Sequence, residues 1–160
     1  MTRRRRLALA LISVWLGAML FLAFVVPPAV FGSVGRRDAG RIMGRVFPAY
    51  YAGSILLPAA ALLALWPEVA ARSRSARATA AILGGATVLA SVNVFAIRPR
   101  IDRAMSAMEG PGGIGNAEIT AAFSRLHVLS VSVIGILILL ALAALAIEVC
   151  APARRPFPPG

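Results

Sequence analysis

The chain is written in long apolar runs separated by short stretches that hold nearly all of its charge. Four runs stand out, at positions 7–26, 46–66, 78–97 and 126–147. The first, "LALALISVWLGAMLFLAFVV", is twenty residues without a charge. At 1.5 Å of helical rise per residue, such a run spans roughly 30 Å, the thickness of the hydrocarbon layer of a bilayer. The other three are long enough to do the same. One run of this kind fits a buried core helix. Four in 160 residues leave too little polar chain to cover them. The pattern predicts an all-α, integral membrane four-helix bundle. It forms a single transmembrane domain over 1–160, with helices at about 7–31, 38–66, 76–108 and 117–149.

Composition agrees with the pattern. Hydrophobic residues make up 59% of the chain and charged residues 14%, too apolar a balance for a soluble domain of this size. The first run follows "TRRRR", which resembles the charged start of a signal peptide. A signal core is shorter, about 7 to 15 residues, and ends at a small-residue cleavage site. Here the run continues into "PPAVFG", so a retained helix is expected.

The net charge is +11, and all seventeen basic residues are arginines. They cluster at the ends of the apolar runs, which suits anchoring to headgroup phosphates rather than a nucleic-acid surface. Lipid is the expected partner and nucleic acid is not. Four crossings put both termini on one side. Nine arginines fall on that side and eight on the other, so the total does not orient the chain. The dense cluster at positions 3–6 does, and it places the termini in the cytoplasm of a bacterial inner membrane.

Turn and cap signals refine the spans. Asp38 is a candidate N-cap for an early start of the second helix. Arg98 and Asp102 are spaced to pair on one helical face. "GPGGIGN" interrupts that helix. Asn116 can cap the last helix, with Glu118 in its first turn, where the helix dipole favours an acid. Ser13 with Gly17, and Gly84 with Gly85, offer small faces for close helix approach.

Topology then gathers the unusual residues. The end of span 1, the start of span 2, the end of span 3 and the start of span 4 share one side of the membrane. That side collects Tyr50, Tyr51, Asn93, Arg98, His127 and Ser130, which form the candidate binding cluster. His127 is the only histidine. It is expected to face the bundle near Tyr50, Tyr51 or Asn93, sharing an inward face with Ser130, Val131 and Ile134. It serves as an interfacial helix–helix hydrogen bond, an aromatic-belt residue, a proton carrier, a ligand or a metal site. Asn93 needs a partner in lipid, and Tyr50, Tyr51, Ser130 and His127 are the candidates. Pro99 between Arg98 and Arg100 is expected to break or kink the third helix. Met43, Met105 and Met108 are soft donors on the same side and suit Cu(I) in principle, although methionines in so apolar a chain are usually packing. The lone Cys150 excludes an internal disulfide and any cysteine-based metal motif. No catalytic constellation is present, no cofactor is implied, and all six acids lie in loops or at helix ends.

Four segments, "FLAFVVPPAVFG", "AGRIMGRVFPAYY", "SVNVFAIRPRIDRAM" and "FSRLHVLSVSV", resemble in order and spacing the transmembrane-protein-205-like family. Its bacterial members form domain of unknown function 4149. Helix 1 and the loop after it are similar, more weakly, to the copper-resistance D membrane domain. The resemblance implies a four-helix membrane protein without a settled molecular activity, and it points toward metal or small-molecule handling. The function expected is handling or passage of a small solute or metal ion. The alternative is a non-catalytic membrane scaffold or accessory subunit, alone as a homo-oligomer or with a membrane partner protein. A haem protein with His127 as axial ligand is a third reading.

Overall fold

A computed structural model describes residues 2–71, 73–110 and 116–150. The glycine-rich break at 111–115, Arg72 and the arginines at 154 and 155 lie outside the described residues. The order is α1 (Arg3–Phe24), α2 (Val26–Ser33), α3 (Arg36–Ala70), α4 (Arg74–Val92), a π-helical turn (Asn93–Ile97), α5 (Arg98–Glu109) and α6 (Ala117–Cys150). Four helical segments, Arg3–Ser33, Asp38–Ala70, Arg74–Glu109 and Ala117–Cys150, are long and apolar enough to cross a membrane. The protein is an all-α four-helix bundle and a multi-pass membrane protein.

The helices run alternately up and down. One end of the bundle, the terminal end, holds the start of α1, the end of α3, the start of α4 and the end of α6. The other is the histidine end. Between them, Ile12, Trp15, Met19, Leu65, Leu83 and Leu137 form a closed core. Alanines 61, 86, 141 and 144 let the backbones approach. Ser13 and Gly17 face outward rather than into the bundle.

Proline decides where the helices depart from regularity. Proline lacks an amide donor and its ring crowds the carbonyl four residues earlier. α1 stops at Phe24, and the Val25 amide donates to the Phe21 carbonyl at 2.9 Å. Pro27 and Pro28 then occupy the first turn of α2, where no intrahelical donor is required. The first crossing is therefore two helices rather than one. Pro99 acts similarly. The turn before it widens to the π form, with the Arg98 amide donating to the Asn93 carbonyl. The extra residue in that turn relieves the clash with the Phe95 carbonyl and lets Pro99 sit in the first turn of α5. α3 carries Pro48, Pro58 and Pro67 inside one continuous helix.

Two caps differ in detail. Asp38 does not cap α3. Gly35 holds that position, and Asp38 lies in the first turn, 3.2 Å from the Arg41 guanidinium. Asn116 does cap α6, accepting from the amides of Glu118 at 3.0 Å and Ile119 at 3.2 Å.

The terminal end is closed by a polar clasp. Glu148, read from sequence as a helix-end acid, is 2% exposed. Arg5 donates through Nε to its Oε2 at 2.7 Å and through Nη2 to its main-chain carbonyl at 2.9 Å. Thr79 donates to Oε1 at 2.8 Å. The clasp ties α1, α4 and α6 at one point. Thr2 donates to Glu68 at 2.8 Å and adds α3.

Removing one partner of a buried pair leaves an uncompensated charge and costs about 3 to 5 kcal/mol. Arg5 keeps some solvent contact, so Arg5→Ala is expected to lie at the lower end, about 3 kcal/mol, in thermal unfolding of the detergent-solubilised protein. Adding Glu148→Gln should recover part of that loss. An Arg5→Ala protein within about 0.5 kcal/mol of wild type would show that the clasp carries no stability.

Candidate functional site

The histidine end is not closed in this way. It holds two grooves that meet at Arg98. The first, of about 340 Å³, lies among α1, α2, α3, α5 and α6. Its apolar wall includes Leu22, Phe31, Met43, Ile101, Phe123 and Ile134. The second, of about 540 Å³, runs along α3 beside the π turn and α5. Pro48, Tyr51, Ala52, Ile55, Val94 and Phe95 line it. Gly44, Phe47 and Arg98 border both.

Local sequence explains the position of these openings. The grooves adjoin the break at Val25, Pro48 and the π turn, all places where proline removes a backbone donor. Pro27 leaves the Ala23 carbonyl without its α-helical donor, and Pro48 does the same for the Gly44 carbonyl. Both residues border a groove.

Arg98 is the main polar group of the site. Its Nε donates to Asp102 Oδ2 at 3.1 Å, and its Nη2 lies 2.8 Å from Oδ1. Its guanidinium carbon lies 5.4 Å from the Phe47 ring centre and 5.8 Å from that of Tyr51, within cation–π range. Phe47 and Tyr51 themselves stack at 5.7 Å. A guanidinium has five N–H donors in a fixed fork. The bidentate pair with Asp102 engages two of them, leaving three for another acceptor.

The other predicted site residues divide into three groups. Asn93 is 1% exposed and accepts from the Ser130 hydroxyl at 2.9 Å, so Ser130 is its partner and the pair joins the π turn to α6. Tyr51 is buried beside Arg98. Tyr50 packs on the core, and its hydroxyl has no hydrogen-bond partner among the described residues. The indole nitrogen of Trp15 is in the same condition.

His127 is placed differently from the expectation. It is exposed, stacks on Phe123 at 5.7 Å between ring centres, and makes no hydrogen bond to a described residue. It lines the first groove with Arg98, Met43 and Met105 rather than pairing with Tyr50, Tyr51 or Asn93. The buried stripe of α6 is Ser130, Val133, Leu137, Ala141, Ala144 and Glu148. His127 is one turn before this stripe begins, where the groove replaces packed protein. Val131 is exposed and Ile134 half-buried, so both border the groove instead of the core.

The donors around the first groove are one imidazole and two thioethers. Met108 is not part of its lining. Among the described residues there is no group of three or more His, Cys, Asp or Glu side chains able to hold a metal ion.

Comparison with known proteins adds family but not activity. A family model described as a domain of unknown function (DUF4149) matches residues 10–110. An uncharacterized protein of Aquifex aeolicus (strain VF5) is 41% identical over 54 residues, covering 34% of this chain and 41% of that protein. The chain thus spans less than half the length of that relative. No solved structure matches it. Since the family model covers more than half of the chain, the protein belongs to the DUF4149 family of unknown function.

Proposed function

We propose that this membrane protein binds and handles a small, mostly apolar solute with an acceptor-rich head, taken up at the histidine end of the bundle. The observation that carries this reading is Arg98, which keeps spare donors at the junction of two apolar grooves. Volumes of this size are typical of small-molecule sites, which pair an apolar lining with a few placed polar groups. The head of the solute meets Arg98, with His127 beside it, and the apolar body lies against the groove walls. The donor set favours an organic solute over a divalent cation, because thioethers are poor ligands for hard ions. The side carrying this site faces away from the cytoplasm if the arginine cluster at positions 3–6 orients the chain in a bacterial inner membrane.

Gly44 allows a direct test. A Cβ placed there meets nothing within 4 Å, and the residue borders both grooves. Gly44→Leu should therefore fold, since leucine is also the better helix former by somewhat under 1 kcal/mol. It should reduce co-purifying amphiphile, measured by mass spectrometry of an organic extract, to about a tenth of wild type or less, as expected for a loss of about 1.4 kcal/mol or more. An empty wild-type extract, or an unchanged one from Gly44→Leu, defeats the reading.

His127→Ala should leave the fold intact. The ring is exposed and makes no described hydrogen bond, so the change in thermal stability is expected within about 0.5 kcal/mol. A larger loss would mean that the imidazole is structural.

A further inference from the structure

The two grooves are not independent. They flank Phe47 and share Gly44 and Arg98. In the second, the lining on α3 extends from Gly44 to Ile55, toward the membrane interior. In the first, the lining on α6 extends from Phe123 to Ile134, again toward the interior. Both linings thus continue inward past Arg98, and the first also reaches outward to Gly40 and Met105. A single-chain solute would occupy one groove and leave the other empty. A molecule with two apolar chains joined at one anionic head would fill both.

Charge supports an anionic head. The histidine side carries eight arginines against four acids, Asp38, Asp102, Glu109 and Glu118. Asp102 engages Arg98 through two N–H groups, and the remaining three are donors without an acceptor in the same fork. Phosphate and carboxylate match this fork geometry, phosphate with more acceptor oxygens. The exposed faces of Phe95 and Ala52 keep the second groove open to the surrounding lipid, so a bilayer molecule enters sideways without crossing water.

We infer that the two grooves together hold one anionic diacyl phospholipid astride Phe47, its phosphate on Arg98 and one acyl chain in each groove. This rests on the reading that the grooves bind a solute, and it assigns that solute's class. Phe47 acts as the divider between the chains. The Phe47 and Tyr51 rings hold Arg98 where it receives the phosphate, while Asp102 takes up part of its charge.

The test uses the full chain, purified in a mild non-ionic detergent. Retained lipid is counted by native mass spectrometry after titration with phosphatidylglycerol or phosphatidylcholine. Wild type should retain phosphatidylglycerol about tenfold more strongly, the effect expected of charge-assisted hydrogen bonds. Arg98→Gln should abolish that preference while leaving weak binding of both lipids. Asp102→Asn releases the whole guanidinium charge and should strengthen phosphatidylglycerol retention. A merely structural Arg98–Asp102 pair would instead make Asp102→Asn behave like Arg98→Gln, and that result overturns the assignment. Ala52→Phe, at an exposed position lining only the second groove, should lower retention of the diacyl lipid but not of lysophosphatidylglycerol, which has one chain. Equal retention of both phosphatidylglycerol forms by wild type would overturn the two-chain fit. Equal retention of phosphatidylglycerol and phosphatidylcholine by wild type would overturn the anionic head, while the solute reading survives if Gly44→Leu loses both. Unchanged lipid retention in Gly44→Leu, with helicity preserved by circular dichroism, removes both readings together.

Discussion

A peptide group that crosses hydrocarbon must find its hydrogen bond inside the protein, because lipid offers none. Each part of this bundle follows from how that demand is met or relaxed. Proline-free α6 runs 34 residues without a break, and α3 runs 35 residues in spite of three internal prolines. Pro48 is carried inside α3, whereas at two other proline sites near the histidine end the chain changes form. It divides α1 from α2 at Val25 and widens to a π turn before Pro99. The freed carbonyls of Ala23 and Gly44 belong to residues that border the grooves. The openings are thus a product of backbone chemistry, and Arg98, Phe47 and Tyr51 are the side chains that furnish them.

The two ends of the bundle contrast in polarity and closure. At the terminal end a carboxylate, a guanidinium and a hydroxyl satisfy one another with little water. Such an arrangement does not add much net stability over an apolar packing of the same shape, but it is costly to break on one side only. It therefore specifies which helices meet there more than how tightly they pack. At the histidine end the corresponding polar groups are only partly used. Arg98 has spare donors, and His127 has no described partner. Asn93 and Ser130 form a buried pair beside the grooves, between the two regimes.

Hydropathy made the crossings legible because lipid imposes length and apolarity on each span. The pairing of Arg98 with Asp102 was legible because it is local, four residues along one helix face. Ser130 was among the partners that parity offered Asn93. Glu148 was missed, since a carboxylate at a helix end reads as solvated when its partner lies 143 residues away in the chain. A signal was nevertheless present. Glu148 continues the stripe formed by Ser130, Val133, Leu137, Ala141 and Ala144, and a residue on that stripe is expected to face inward. The same extrapolation misleads for His127 at the opposite end of the stripe, where α6 borders a groove. Periodicity gives the direction of a side chain but not what stands in front of it.

The clasp also sets an order of events during synthesis. Arg5 lies in α1 and Glu148 in α6, so the guanidinium is made well before its carboxylate. Until α6 is in place, the guanidinium lacks its carboxylate and is served by water and headgroups. Arrival of α6 then draws Arg5 inward and joins the first turn of the chain to its last described turn. Closing so long a loop is slow compared with local helix pairing. A chain interrupted before α6 would leave α1 unclasped.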